Sequence, residues 1–492
     1  MGVVIKQSIR SSIFAYLGVA IGYINVLWLY PNFLSTEQVG LFRLIQSSAY
    51  LLATFGQVGL AQSLVKFFPE LKSNKGFFTS IVFGGTIGFL ILSLLTVIFR
   101  STIVDYFAKE SSMFVDYFQV TVLITFLIIN FQLLEAYSKS LLKIVVPTLL
   151  RDVGLRILST LILLLYGFEI ISFPTLIYSL IGVYGIVLFM LAIQVKTSLK
   201  APLSLDFAFL KSGVWKRILN FGCYSLIGAG GTQIILQIDN IMVSGALGLQ
   251  ATGIYFIAFS IGVVIEMPKR AIAQISASLL SQSFNSGDMP AVKKLYQQTS
   301  INQMIIGTLL LIGIWANLDS IYSLVPNGEE YANGFNVVLF IALGKLSDMA
   351  FGTNGEIIVM SKYYRFNVIS VSILAIVTIV LNTLLIPKYG IDGAAIASFI
   401  AMFSFNLIKF YYVWVKFRIQ PFTTSTIKFL GITGVVLLAN YLLPELDTVL
   451  LDMITRSTII TVLLIGATYW LKISEEVNEL LEKSAKWILR LN

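Results

Sequence analysis

Several charged residues of this 492-residue chain lie inside long apolar runs. Glu266, Lys269 and Arg270 surround Pro268, and the run continues past them from Ala271 to Leu280. Lys345, Asp348, Asn354 and Glu356 share a second run, Glu135 lies in a third, and Arg43 follows Leu41-Phe42 in a fourth. A charge at the centre of a bilayer costs at least about 2.5–3.5 kcal/mol on insertion scales, so a charge kept there is a functional candidate. Cations in such places can hold an anionic group, and carboxylates can exchange a proton or a metal cation. Each has a plainer reading. Lys269 and Arg270 can end a cytoplasmic helix that is followed by an interfacial segment. Lys345 and Asp348 are three residues apart, on one helical face, and can form an internal ion pair that only fixes packing. Arg43, Arg151 and Arg156 can anchor helix ends. Asp239 can brace the outer end of its helix.

Other chemistry is excluded by composition. There is no histidine, so histidine triads and histidine zinc sites are ruled out. The single cysteine, Cys223, cannot form an internal disulfide and is read as a small packing residue. No metal or other cofactor is expected. The phosphate loop of an ATPase is absent, since Gly344-Lys345 lacks the earlier glycine and sits in an apolar run. A membrane glycosyltransferase or polymerase would need acids in an outer loop. Glu445 and Asp447 are the nearest approach, in loops too short for an acceptor-binding domain. The chain is therefore expected not to be an enzyme.

The elements that must position these charges are membrane helices. The chain is 57% hydrophobic and 12% charged, with a mean hydropathy of +0.87. An average soluble chain carries about 25% charged residues, so this surface must face lipid. Fourteen runs approach the ~20 apolar residues that a bilayer core requires; the weakest are Thr148–Tyr166, which carries Arg151 and Arg156, and the last, Ile454–Leu471. Placing the N-terminus inside and alternating the runs puts 28 of the 34 Lys and Arg on the inner side and five on the outer, with Lys345 within a run. That asymmetry is the positive-inside pattern, and it predicts cytoplasmic N- and C-termini with an uncleaved first helix. The net charge of +9 is explained the same way, by an anionic inner leaflet and not by nucleic acid. The stretches Leu34–Phe42 and Leu247–Tyr255 match at an offset of 213, which also carries Glu135 onto Asp348. Six runs separate the copies, so both keep one orientation, and a pseudo-twofold axis along the membrane normal follows. The predicted organisation is an N-terminal lobe over 1–195, a cytoplasmic linker over 196–217, a C-terminal lobe over 218–415, two appended helices over 426–471 and a cytoplasmic amphipathic tail over 474–492.

Three motifs carry a resemblance over nearly the whole chain. They are Leu34-Ser35-Thr36-Glu37-Gln38-Val39-Gly40-Leu41-Phe42; Gln237-Ile238-Asp239-Asn240-Ile241-Met242 with Thr252-Gly253-Ile254-Tyr255; and Leu385-Ile386-Pro387-Lys388-Tyr389-Gly390-Ile391-Asp392-Gly393-Ala394-Ala395-Ile396-Ala397. In this order and spacing they resemble the polysaccharide transporter (Wzx-type oligosaccharide flippase) family of the multidrug/oligosaccharidyl-lipid/polysaccharide exporter superfamily. The resemblance implies an all-α polytopic membrane protein, V-shaped, with a central cavity that opens to alternate sides. It implies a flippase that moves undecaprenyl-pyrophosphate-linked oligosaccharide units, of O-antigen, capsule or exopolysaccharide type, from the inner to the outer leaflet. The setting is the bacterial inner membrane, with membrane lipid around the protein, polysaccharide-assembly proteins nearby and the chain acting as a monomer. On that reading Lys269, Arg270, Lys345 and Arg43 are the candidates for the pyrophosphate. Glu135, Asp348 and Glu356 are the candidates for coupling to H+ or Na+. Amides and aromatics such as Tyr23, Asn25, Gln46, Gln57, Asn130, Gln132, Gln233 and Gln237 could line a sugar cavity or join helices. A cation-coupled multidrug antiporter of the same fold is the alternative, and it would rest on the three acids. The sign of the cavity separates the two.

Overall fold

The computed structural model describes residues 2–74, 76–197, 213–444 and 446–489. Most of the expected 196–217 linker, Glu445 and the last three residues of the tail lie outside the described residues. Among the described residues every regular element is a helix. Among the described residues nine helices are long and apolar enough to cross a membrane, or eleven if two sharply bent pairs each count as one span. This is fewer than the fourteen runs, for three local reasons. Gly213–Gly262 and Tyr364–Phe417 are each two helices joined without a loop, at Gly248 (φ 89°, ψ 175°) and Gly390 (φ 59°, ψ −137°). At 1.5 Å per residue, either one run straight would far exceed the ~30 Å apolar layer. The run at 148–166 is interrupted by a π turn at Leu149–Gly154 that carries Arg151 and Asp152.

The chain forms two compact units, Met1–Ile257 and Ala258–Asn492. In the first, the Phe118–Ser140 helix is central, and Thr36–Gly56, Leu60–Leu71, Phe77–Ile98 and Phe173–Thr197 pack around it. Its Val120, Ile124, Ile129 and Leu133 are fully buried, as the inward stripe of a bundle helix should be. The Phe77–Ile98 helix does the opposite. Leu90, Ile91 and Leu94 are more than half exposed, which suits a face in contact with acyl chains. The expected run Leu41–Leu64 is broken: Thr36–Gly56 and Leu60–Leu71 meet at 44°, with Val58 and Gly59 both at positive φ.

The sequence repeat has a structural meaning inside this unit. A Cβ on Gly40 would strike the Leu249 carbonyl, and one on Gly253 would strike that of Thr36. The two matched motifs therefore cross backbone to backbone, which only small residues permit. The reversals themselves fall elsewhere. One is at Leu34–Ser35, where Ser35 Oγ accepts the Gln38 N–H (3.2 Å) and Gln38 Oε1 accepts the Ser35 N–H (3.0 Å); this capping box satisfies two donors at the helix start. The other is at Gly248.

In the second unit the Phe335–Ala350 helix packs on Tyr364–Phe417 and Met289–Ala316. It ends at Gly352 (φ 60°), and Asn354–Met360 leaves it at 51°. The helices Thr424–Leu442 and Val449–Trp470 join Met289–Ala316 in one apolar core through Ile305, Ile312, Phe429, Val436, Ile460 and Leu464. Arg456, one of the five cations that the alternating topology puts on the outer side, is buried: its Nε donates to Asp452 (2.7 Å) and its Nη2 to the Pro444 carbonyl (3.1 Å). The helix Val449–Trp470 begins five residues before the expected run Ile454–Leu471, and the added turn brings Asp452 onto the face of Arg456.

Candidate functional site

The N-terminal unit concentrates unpaired cations among tyrosines. Arg43 lies two turns into the capped Thr36–Gly56 helix. Its guanidinium packs over the Phe256 ring (4.8 Å to the centroid), Nη2 donates to Gln237 Oε1 (3.3 Å), and Nε is buried without a partner. Tyr30, Tyr50, Tyr184 and Tyr255 lie close enough to act on its charge, and Tyr50 and Tyr184 are hydrogen-bonded to each other. Asp239 is held by the Tyr255 hydroxyl (2.9 Å), so this acid braces the helix pair on either side of Gly248.

Tyr30 also faces a second cation, Arg156. Two π turns set this geometry, Asn25–Leu29 and Leu149–Gly154. π turns are rare and are frequent at functional sites. Asn25, in the first, accepts from the Thr160 hydroxyl (2.8 Å) and donates to the Arg156 carbonyl (3.3 Å). Gly22 supplies the space: a Cβ there would stand 2.8 Å from Arg156 Cζ. Among the described residues neither Arg43 nor Arg156 forms an ion pair. Guanidinium forks match phosphate oxygens bidentately, and tyrosine hydroxyls and ring faces suit sugar hydroxyls and C–H faces.

Most of the other charges in apolar runs are paired locally. Glu135 is buried and accepts from Arg151 Nη1 (2.6 Å) and Lys139 (3.1 Å), while Arg151 Nε also holds Asp152 (2.9 Å). In the second unit Lys269 pairs with Asp348, and Lys345 pairs with Glu266 (2.5 Å). The expected Lys345–Asp348 pair along one helix is thus replaced by two crossed pairs between helices. The cause is the single 3₁₀ turn Val263–Glu266 ahead of Pro268, which packs against Phe335–Ala350 and presents Glu266 and Lys269 three residues apart. Arg270 points away and is exposed. Glu356 has no ion pair among the described residues but lies within electrostatic reach of Lys269 and Lys409.

Lys409, one of the 28 Lys and Arg that the alternating topology puts on the inner side, is buried, 6% exposed, with Nζ 4.1 Å from the Phe405 ring. Its placement within the run Ile391–Val415 was the available signal. Three lysines (269, 345, 409) thus face three acids (Glu266, Asp348, Glu356). Of the amides, Gln57 Nε2 donates to Gln132 (2.7 Å) and Asn130 bonds its own helix at the Phe126 carbonyl, so both serve helix packing, whereas Gln237 serves Arg43. No group of three or more metal-ligating side chains occurs among the described residues.

A family model described as polysaccharide biosynthesis protein matches residues 5–278, more than half of the chain. The chain belongs to the polysaccharide biosynthesis protein family. Within reach of this family member is an uncharacterized membrane protein of Methanocaldococcus jannaschii, 24% identical over 438 residues and 81% of each chain. The probable low-salt glycan biosynthesis flippase Agl15 of Haloferax volcanii is 20% identical over 87% of this chain and 88% of its own. Among solved structures, the lipid II flippase MurJ in an inward closed conformation matches with a TM-score of 0.75 at 16% identity, over 94% of this chain and 99% of that one. An inward-facing multidrug resistance MATE family transporter of the MOP superfamily matches at 0.59 and 14% identity, over 82% and 94%. At these identities the structural likeness shows the fold, a multi-pass helical membrane fold that this chain shares with those two proteins.

Proposed function

We propose that this polysaccharide biosynthesis protein is a flippase for a lipid-linked saccharide, with Arg43 as the main contact for the pyrophosphate. The observation that carries the reading is the pair Arg43 and Arg156, both without ion pairs among the described residues, gathered with tyrosines around Tyr30. A pocket for cationic drugs would instead gather unpaired carboxylates, and the acids of this chain that lie in apolar runs are largely paired. The family, the glycan flippase relative and the fold shared with a lipid II flippase support the same reading. The substrate is an undecaprenyl-pyrophosphate-linked oligosaccharide, moved from the inner to the outer leaflet of the cytoplasmic membrane by alternating access of two lobes, with both termini inside. Coupling to H+ or Na+ falls to Glu356, the one of the three candidate acids that has no ion pair among the described residues. Lys269 and Arg270 are secondary anion contacts, since Lys269 must first leave Asp348.

The test is transbilayer movement of a fluorescent undecaprenyl-pyrophosphate oligosaccharide in liposomes holding the purified protein. Wild type should move it, Arg43→Ala should slow it about tenfold, the order expected for one charge-assisted contact, and Lys269→Ala with Arg270→Ala should slow it less. Normal movement in Arg43→Ala would remove the arginine site while keeping the flippase. Absence of movement in wild type, with cation-driven drug efflux intact, would overturn the function.

A further inference from the structure

We propose that the second unit carries a separate phosphate-binding groove at its basic end, used by an amphiphile whose headgroup bears a phosphate. The groove has a volume of about 500 Å³ and is lined by Lys293, Gln297, Phe410, Trp414, Arg418 and Gln420. That size suits a headgroup or small ligand. Lys293 and Gln297 are four residues apart, and so are Phe410 and Trp414, so each pair shares one face of its helix. The Met289–Ala316 helix thus contributes a cation and an amide, and the end of Tyr364–Phe417 contributes two aromatic faces. Arg418 closes that helix with a left-handed backbone (φ 57°, ψ 33°), where glycine is the usual residue. A guanidinium is therefore held where a side chain is conformationally unfavourable.

Neither Lys293 nor Arg418 forms an ion pair among the described residues. The groove thus offers a guanidinium fork and an ammonium for phosphate oxygens, two amides for hydroxyls or esters, and an indole and a phenyl ring for the first methylenes. Further positive charge stands nearby: Lys362 and Lys416 both lie over the Tyr363 ring. Leu407, Tyr411 and Trp414 expose an apolar face of the same helix that leads into the groove. A basic pocket joined to a lipid-facing surface fits the headgroup of an anionic phospholipid. The same chemistry would accept a free phosphate compound, and the assay distinguishes them.

The full chain, purified in detergent, is titrated with phosphatidylglycerol, phosphatidylcholine or inorganic pyrophosphate and read by native mass spectrometry. The variant is Lys293→Gln with Arg418→Gly, because glycine relieves the left-handed backbone while deleting the guanidinium, so Tm should not fall. Phosphatidylglycerol should bind the variant about tenfold more weakly than wild type, with phosphatidylcholine unchanged. Lys294→Gln, an exposed neighbour outside the groove, should bind as wild type. Lys293→Gln alone, at an exposed helical position, gives the same readout if the double variant fails to fold. Binding of pyrophosphate lost in the variant, without a change for phosphatidylglycerol, would keep the phosphate site and assign it to a soluble compound. Equal binding of both phosphate ligands to wild type and variant would overturn the proposal. This outcome is independent of transport, so it is separable from the flippase reading.

Discussion

Arg43 and Gln237 come from helices nearly two hundred residues apart, and one hydrogen bond joins them. Arg43→Lys keeps the charge and loses the fork; transport in the liposome assay should fall severalfold and not vanish. Gly22→Val places carbon where the Arg156 guanidinium now lies. It should impair transport to a degree comparable with Arg156→Ala, at normal expression and Tm; unimpaired transport would separate Arg156 from the site. Legibility was uneven at this scale. Arg43 was visible because a charge stood inside an apolar run, and Glu135, Lys345 and Asp348 for the same reason. Arg156 and Lys409 also stand inside apolar runs but read as topology charges, because a hydropathy window reports depth along the membrane normal and not which way a side chain faces. The crossed pairs Lys269–Asp348 and Lys345–Glu266 depend on how two helices pack, and spacing along either helix contains no trace of that.

Helix breaks follow the same division. The apolar runs located most helices, since about 20 apolar residues in a row have one economical fold in lipid. The bends at Val58–Gly59 and at Gly352 fall inside two of the expected runs, because a hydropathy window averages over Gly56-Gln57-Val58-Gly59 and Gly352-Thr353-Asn354-Gly355, whose glycines were the available signal. Ser35→Ala removes one half of the capping box and should cost about 1 kcal/mol, measurable as a lower Tm in detergent with the fold retained. Gly248→Val is predicted to be far worse. Its φ/ψ region is essentially restricted to glycine, and the cost is of order 1–3 kcal/mol before the clash with the Glu110 carbonyl is added. Loss of folded protein in the membrane fraction is the expected result, and a normally folded Gly248→Val would show that the reversal tolerates a side chain.

At the level of the whole chain, the basic asymmetry of the sequence makes an orientation testable with its own chemistry. Cys223 is the single cysteine. In a Cys223→Ser background, a cysteine replacing Lys388 should react with a membrane-impermeant maleimide in intact cells, and one replacing Lys416 only after lysis. The opposite pattern would invert the topology. The two π turns have a different kind of consequence. A π turn is geometrically a one-residue insertion in an α-helix, and removing one residue from Leu149–Gly154 would restore the regular helix. The deletion would alter charge and hydropathy hardly at all. Because the wide turn absorbs its extra residue, the following helix would keep its register, with Arg156 still on the face that meets Asn25 and Gly22, and only the widened backbone that presents Arg151 and Asp152 would close. A one-residue deletion at Leu149–Gly154 is thus a change that the rest of the bundle would hardly register, and it would reach only the wide turn and the two charges that it carries.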